Sequence, residues 1–128
     1  MIDKFQILLL SEVFLSKDLL DSALGKFNFP YEVTTTGSIS EALQKINLIP
    51  FQFFAIDSYM MLTIPEPDIL RMIKFNKSIS FFLISYSEKE EDILNWFDFG
   101  FTDVVISNNP LSLTLSIKRE SRNYEVYR

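Results

Sequence analysis

Phe51-Gln52-Phe53-Phe54-Ala55-Ile56-Asp57 is a near-continuous apolar run that ends on an acid. A strand with one wet face alternates apolar and polar side chains, whereas a run that is apolar at almost every position needs cover on both sides. The centre of a parallel sheet with helices above and below supplies that cover. An aspartate closing such a run meets solvent at the carboxyl end of the strand, where open α/β sheets place their ligands.

Outward from this run, short apolar stretches alternate with stretches of helical period. Gln6–Leu10 is expected to be the first strand, followed by a helix from about Ser16 with Leu15, Leu19, Leu20, Ala23 and Leu24 on one face. Tyr31–Thr35 reads as a β-branched strand. Ile39–Ile46 reads as a helix, with Ser38 as N-cap and Glu41 three residues on in a capping-box pattern. Beyond Asp57, Ser58–Pro67 is expected to be a loop, Asp68–Phe75 a helix facing inward with Ile69, Leu70 and Ile73, and Ile79–Ile84 the fourth strand. Glu88–Phe99 follows as a helix with Ile93, Leu94, Trp96 and Phe97 inward and Gly100 as its stop. Val104–Ile106 is the fifth strand, and a last helix runs from Leu111 with Leu113, Leu115 and Ile117. Strand and helix alternating five times predict an α/β fold of three layers, a parallel sheet with helices on both faces. At 128 residues, with no internal repeat or linker, one domain over 1–128 is expected.

Composition excludes several classes of function. With no Cys and no His, the chain has neither thiolate ligands nor the commonest base and metal ligand, so Ser85 and Ser107 have no partner to make them nucleophiles. A net charge of −5 disfavours binding to nucleic acid, which needs a basic face. The exception is the last segment, where Lys118, Arg119, Arg122 and Arg128 gather, but Glu120 and Glu125 interleave and make it a solvated face. The first apolar stretch, Ile7–Leu10, is too short for a signal peptide or a membrane span, so a cytoplasmic protein is expected and no membrane partner. Thirteen Phe exceed what a core of this size requires, so some aromatic surface is expected. No Ser/Thr/Gly-rich phosphate loop follows the first strand, which disfavours a flavin-binding protein of similar topology.

Two stretches carry a resemblance. EALQKINLIPFQFFAID, residues 41–57, resembles the second helix and third strand of response-regulator receiver domains. FFLISYSEKEEDILNWFDFGFTDVV, residues 81–105, resembles their fourth strand, fourth helix and the approach to the fifth strand. The resemblance implies a flavodoxin-like fold, a five-stranded parallel sheet in the order 2-1-3-4-5 with five helices, and a place in two-component, phosphorelay signalling. In that family an aspartate takes a phosphoryl group from a histidine kinase while magnesium neutralises the developing charge. Asp57 matches the phospho-acceptor and Ser85 the hydroxyl that bonds the phosphoryl oxygen.

The other pocket positions depart from the pattern. The paired acids closing the first strand read Ser11-Glu12, leaving Glu12 and Asp57 as the only candidate metal ligands. The lysine at the end of the fifth strand is Ser107, and the aromatic switch position is Val104. Losing the contact from such a lysine is worth about 1.5–3 kcal/mol. Met60-Met61-Leu62 stands where a proline normally follows the acceptor, and its apolar side chains are expected to cover the top of the sheet or plug the pocket. The resemblance therefore implies an atypical receiver, no enzyme and with no required cofactor, that acts through protein contacts with a histidine kinase, an output domain or a second copy. The alternative is a slow phospho-acceptor using Asp57 with a divalent metal. Trp96 and Phe99 are the candidate partner surface, on the face of fourth helix, fifth strand and fifth helix through which receivers pair.

Overall fold

Five strands, β1 (Phe5–Leu10), β2 (Tyr31–Thr36), β3 (Phe53–Asp57), β4 (Ser80–Ser85) and β5 (Asp103–Ile106), pair in parallel in the order β2-β1-β3-β4-β5. The connections carry α1 (Phe14–Leu24), α2 (Ile39–Leu48), a single turn α3 (Ser58–Met61), α4 (Glu66–Lys74) and α5 (Glu90–Phe97), and α6 (Pro110–Ser121) follows β5. The computed structural model describes residues 3–26 and 29–124. Glu125 and Arg128, the far end of the basic run, lie outside the described residues.

Side-chain alternation along the strands divides the core in two. Phe5, Ile7 and Leu9 of β1, Phe53 and Ala55 of β3, Phe82 and Ile84 of β4 and Val105 of β5 meet Leu19, Leu20, Ala23 and Leu24 of α1 and Leu113 and Ile117 of α6. Leu8, Leu10, Phe54, Ile56, Phe81 and Leu83 face the other way, against Ala42 of α2, Met60 and Met61 of α3, and Ile69 and Met72 of α4. Burying one such aliphatic or aromatic side chain contributes roughly 1.5–3 kcal/mol. The central strands β3 and β4 are buried at every position, whereas β2, at the sheet edge, tolerates Glu32 and its threonines because one flank stays wet.

Much of the phenylalanine excess is spent inside. Phe53 sits in a ring cluster with Phe5, Phe82 and Tyr124 at centroid distances of 5.1, 5.8 and 5.6 Å. The remainder includes the expected exposed aromatics, Phe14, Phe75 and Phe97. Ser38 caps α2 by accepting from the Glu41 N–H at 3.1 Å. Gly100 ends the α5 segment at φ +95°, a left-handed turn that a side chain would strain.

The structure corrects several details. Ser58–Pro67 is not all loop, because the single turn α3 and the start of α4 lie within it, and α3 stands beside the five longer helices that were expected. Leu15 is exposed. The buried stripe of α1 is Ser16, Leu19, Leu20, Ala23 and Leu24, and Leu15 is rotated roughly 100° from Ser16. Leu70 is exposed on α4, one step round from buried Ile69, with Met72 completing the inward pair. On α5, Leu94 and Phe97 face solvent while Ile93 and Trp96 are half-buried, and on α6 Leu115 is exposed beside buried Leu113 and Ile117.

Candidate functional site

β1 and β3 are adjacent, and their following segments part to opposite faces of the sheet, with α1 on one and α3 and α4 on the other. The carboxyl end of β3 therefore lies at a topological switch point. Asp57 closes β3 there and is fully buried. Its backbone remains extended, φ −101° and ψ 164°, and its Oδ1 accepts the Met60 N–H at 2.9 Å, so the aspartate is the N-cap of α3. Its Oδ2 accepts from the Ser11 hydroxyl and, at 2.8 Å, from Ser16 Oγ. Three of the roughly four acceptor positions of a carboxylate are thus filled by neutral protein donors. No lysine or arginine pairs with it among the described residues.

A second layer of hydroxyls closes over this contact. Ser16 Oγ and Tyr86 Oη are 2.6 Å apart. Ser16 has one proton and the carboxylate takes it, so Tyr86 donates to Ser16 and a relay runs from Tyr86 through Ser16 to Asp57. Burial pushes the Tyr86 phenol above its ordinary value; the hydrogen bond with Ser16 pulls it back, and the charge of Asp57 pushes it up again. The phenol therefore stays protonated and able to donate. The Tyr86 ring stacks on Tyr59 at 4.8 Å, and the Tyr86 N–H is held by Ser58 Oγ at 2.9 Å.

Of the residues the sequence singled out, Ser11 and the Met60 N–H come together with Asp57 and the others stand apart from it. Ser85 is buried, but its hydroxyl is folded into its own turn, donating to the Ser87 carbonyl at 2.8 Å and accepting the Ser87 N–H at 3.2 Å. Ser107 makes a main-chain contact, its N–H donating to the Ser85 carbonyl at 2.8 Å. Val104 lies opposite Leu83, half-buried in the second core cluster, on the face away from α1. Glu12 is exposed, with its stem against the turn before α2, where its Cγ is 3.3 Å from the position a Gly37 Cβ would take. Met60 and Met61 are buried in the second cluster, while Leu62 is exposed. Trp96 and Phe99 are half-buried, their rings 5.9 Å apart.

These residues do not fit a magnesium site. Magnesium demands near-octahedral oxygen ligation, three acceptor positions of Asp57 are taken by Ser11, Ser16 and the Met60 N–H, and Glu12 is exposed against the turn before α2. Among the described residues no group of three or more His, Cys, Asp or Glu is placed to hold a metal ion. Sequence reasoning missed Ser16 and Tyr86. The signal for Ser16 was present, since it falls three and four residues before Leu19 and Leu20 on the buried stripe, where a hydroxyl must find a partner.

No family model matches the sequence, and no curated protein matches it. The fold has many solved counterparts. A response regulator from Thermotoga maritima superposes with a TM-score of 0.76 at 14% identity, covering 91% of this chain and 97% of that one. An orphan response regulator of H. pylori gives 0.68 at 14%, covering 91% and 95%. A structure described as an atypical orphan response regulator with a phosphorylation-independent regulatory mechanism gives 0.71 at 15%, covering 94% and 98%. The chain thus has the flavodoxin-like fold of response-regulator receiver domains. Among the described residues, no helix is long and apolar enough to cross a membrane.

Proposed function

We propose that the chain, over 1–128, is one receiver-like module of two-component signalling that works through protein contacts and not through phosphorylation of Asp57. The observation that carries this reading is the complete burial of Asp57 with both carboxylate oxygens engaged by Ser11, Ser16 and the Met60 N–H. An in-line phosphoryl donor needs a free oxygen and a cation beside it, and here hydroxyls and a helix cap occupy those places. The likeness to an atypical orphan regulator described as phosphorylation-independent supports the same reading.

The module is no enzyme in this reading and requires no cofactor. Its docking face is formed by α5, β5 and α6, and it serves a histidine kinase, an output domain or a second copy. Leu94 and Phe97 on α5 and Leu111 and Leu115 on α6 flank the edge strand β5 and are each between 44% and 58% exposed. Exposed apolar anchors on both sides of an open edge suit a protein partner.

The test is an amide spectrum of the chain with magnesium and a beryllofluoride phosphoryl mimic. The expected result is that the signals of Ser11, Ser16, Asp57 and Ser85 stay in place. Shifts centred on Asp57 would instead support the slow phospho-acceptor.

A further inference from the structure

The helical layer over the second core cluster is open between α4 and α5. A groove of about 460 Å³ lies there, lined by Glu66 and Leu70 from α4, Asp92, Asn95 and Trp96 from α5, and Asp98 and Phe99 just beyond it. Leu94 is on the far side of α5, so this is a different surface from the α5–β5–α6 face, and Asp57 does not line it.

The lining combines two kinds of chemistry. Leu70, Trp96 and Phe99 make it apolar and aromatic, while Glu66, Asp92 and Asp98 bring three carboxylates and no Lys or Arg. Among the described residues Glu66 and Asp98 have no ion-pair partner, and Asp92 accepts only the Ser87 hydroxyl at 2.7 Å. Lys74, in the last turn of α4, lies 5.9 Å from the Phe75 ring centroid and does not line the groove. The Trp96 Nε1 is buried with no acceptor among the described residues, although a buried indole N–H normally finds one.

We propose that this groove docks an arginine-bearing peptide segment of a partner protein. A guanidinium pairs with carboxylates through its fork of donors and stacks on an indole face, and its methylene stem covers an apolar side chain such as Leu70. A bare metal ion offers neither apolar contact nor an acceptor, and phosphate chains are repelled by three carboxylates. The net charge of −5 favours encounter with a basic partner.

Trp96 is the single tryptophan of the chain, so its fluorescence reads the groove directly. The full chain is titrated with an acetylated, amidated tetra-arginine peptide at roughly 0.1 M salt, where only close charges still interact strongly. The expected result is a saturable change in emission that is unaltered in Asp57→Asn and weakened about tenfold or more in Asp92→Asn/Asp98→Asn. The single Asp98→Asn variant, which alters a carboxylate without a described partner, should weaken binding without altering the thermal melt. No saturable change, equal affinity in the double variant, or the same change with magnesium chloride at matched ionic strength would overturn the proposal.

Discussion

Ser16 Oγ donates to Asp57 Oδ2 at 2.8 Å across 41 positions of sequence, and this contact ties the first turn of α1 to the end of the central strand β3. Its consequence is measurable in stability. Ser16→Ala removes one of the two hydroxyls on a buried carboxylate oxygen and leaves the Tyr86 phenol without its acceptor. The expected loss is about 1–3 kcal/mol, read by urea denaturation. Asp57→Ala should cost more, because it removes the α3 cap, worth about 1 kcal/mol, and takes from Ser11 and Ser16 the acceptor they share.

Burial raises two phenols above their ordinary value of 10.0, Tyr86 beneath Tyr59 and Tyr124 beside Ser80 and Gln52. The folded state holds these protons longer than the unfolded chain does. The stabilisation is therefore complete below the unfolded value of 10.0 and is lost as pH rises through the folded values above it. Melting temperature should be flat with respect to these groups at neutral pH and fall in alkali. The fall should be shallower in Tyr86→Phe and Tyr124→Phe, and an unchanged alkaline slope in both variants would refute the assignment.

Leu94 and Phe97 are each about half exposed in the folded chain. Replacing both with Ser removes what burial they have, at a cost of roughly 1–2 kcal/mol, while weakening self-association or partner capture through the α5–β5–α6 face. Sedimentation velocity across a range of concentrations checks the self-association. A loss of stability of several kcal/mol would show that these side chains belong to the core.

Gly100, at φ +95°, turns the chain from α5 toward β5. A Cβ there would meet Ile73 Cγ2 at 3.6 Å, an ordinary contact, so the cost of Gly100→Ala is conformational and not steric crowding. A loss of about 1–2 kcal/mol is expected. Thermal unfolding reads it, and a neutral effect would mean that the turn adopts another conformation.

How much was legible in the sequence differs between fold and site. The apolar runs ending at Leu10, Ile56 and Ile84 and the capping pattern at Ser38 were enough for the elements and the layers, because burial on both faces leaves an unbroken trace along the chain, whereas the strand order came only with the resemblance to receiver domains. Asp57 was legible for the same reason, as the first charge after a buried strand. Leu15, Leu70 and Leu94 misled, because an apolar residue one step off a helical stripe is rotated by roughly 100° and reads the same in composition.

By itself the sequence determined an α/β sheet with an acid at the end of its central strand and with no histidine or cysteine for other chemistry. Only the tertiary structure decided what that acid does. Hydrogen bonding acts over about 3 Å in space and is indifferent to separation along the chain. Ser11, Ser16 and Tyr86, contributed by the ends of β1 and β4 and the start of α1, become partners of Asp57 only when the sheet brings those segments together.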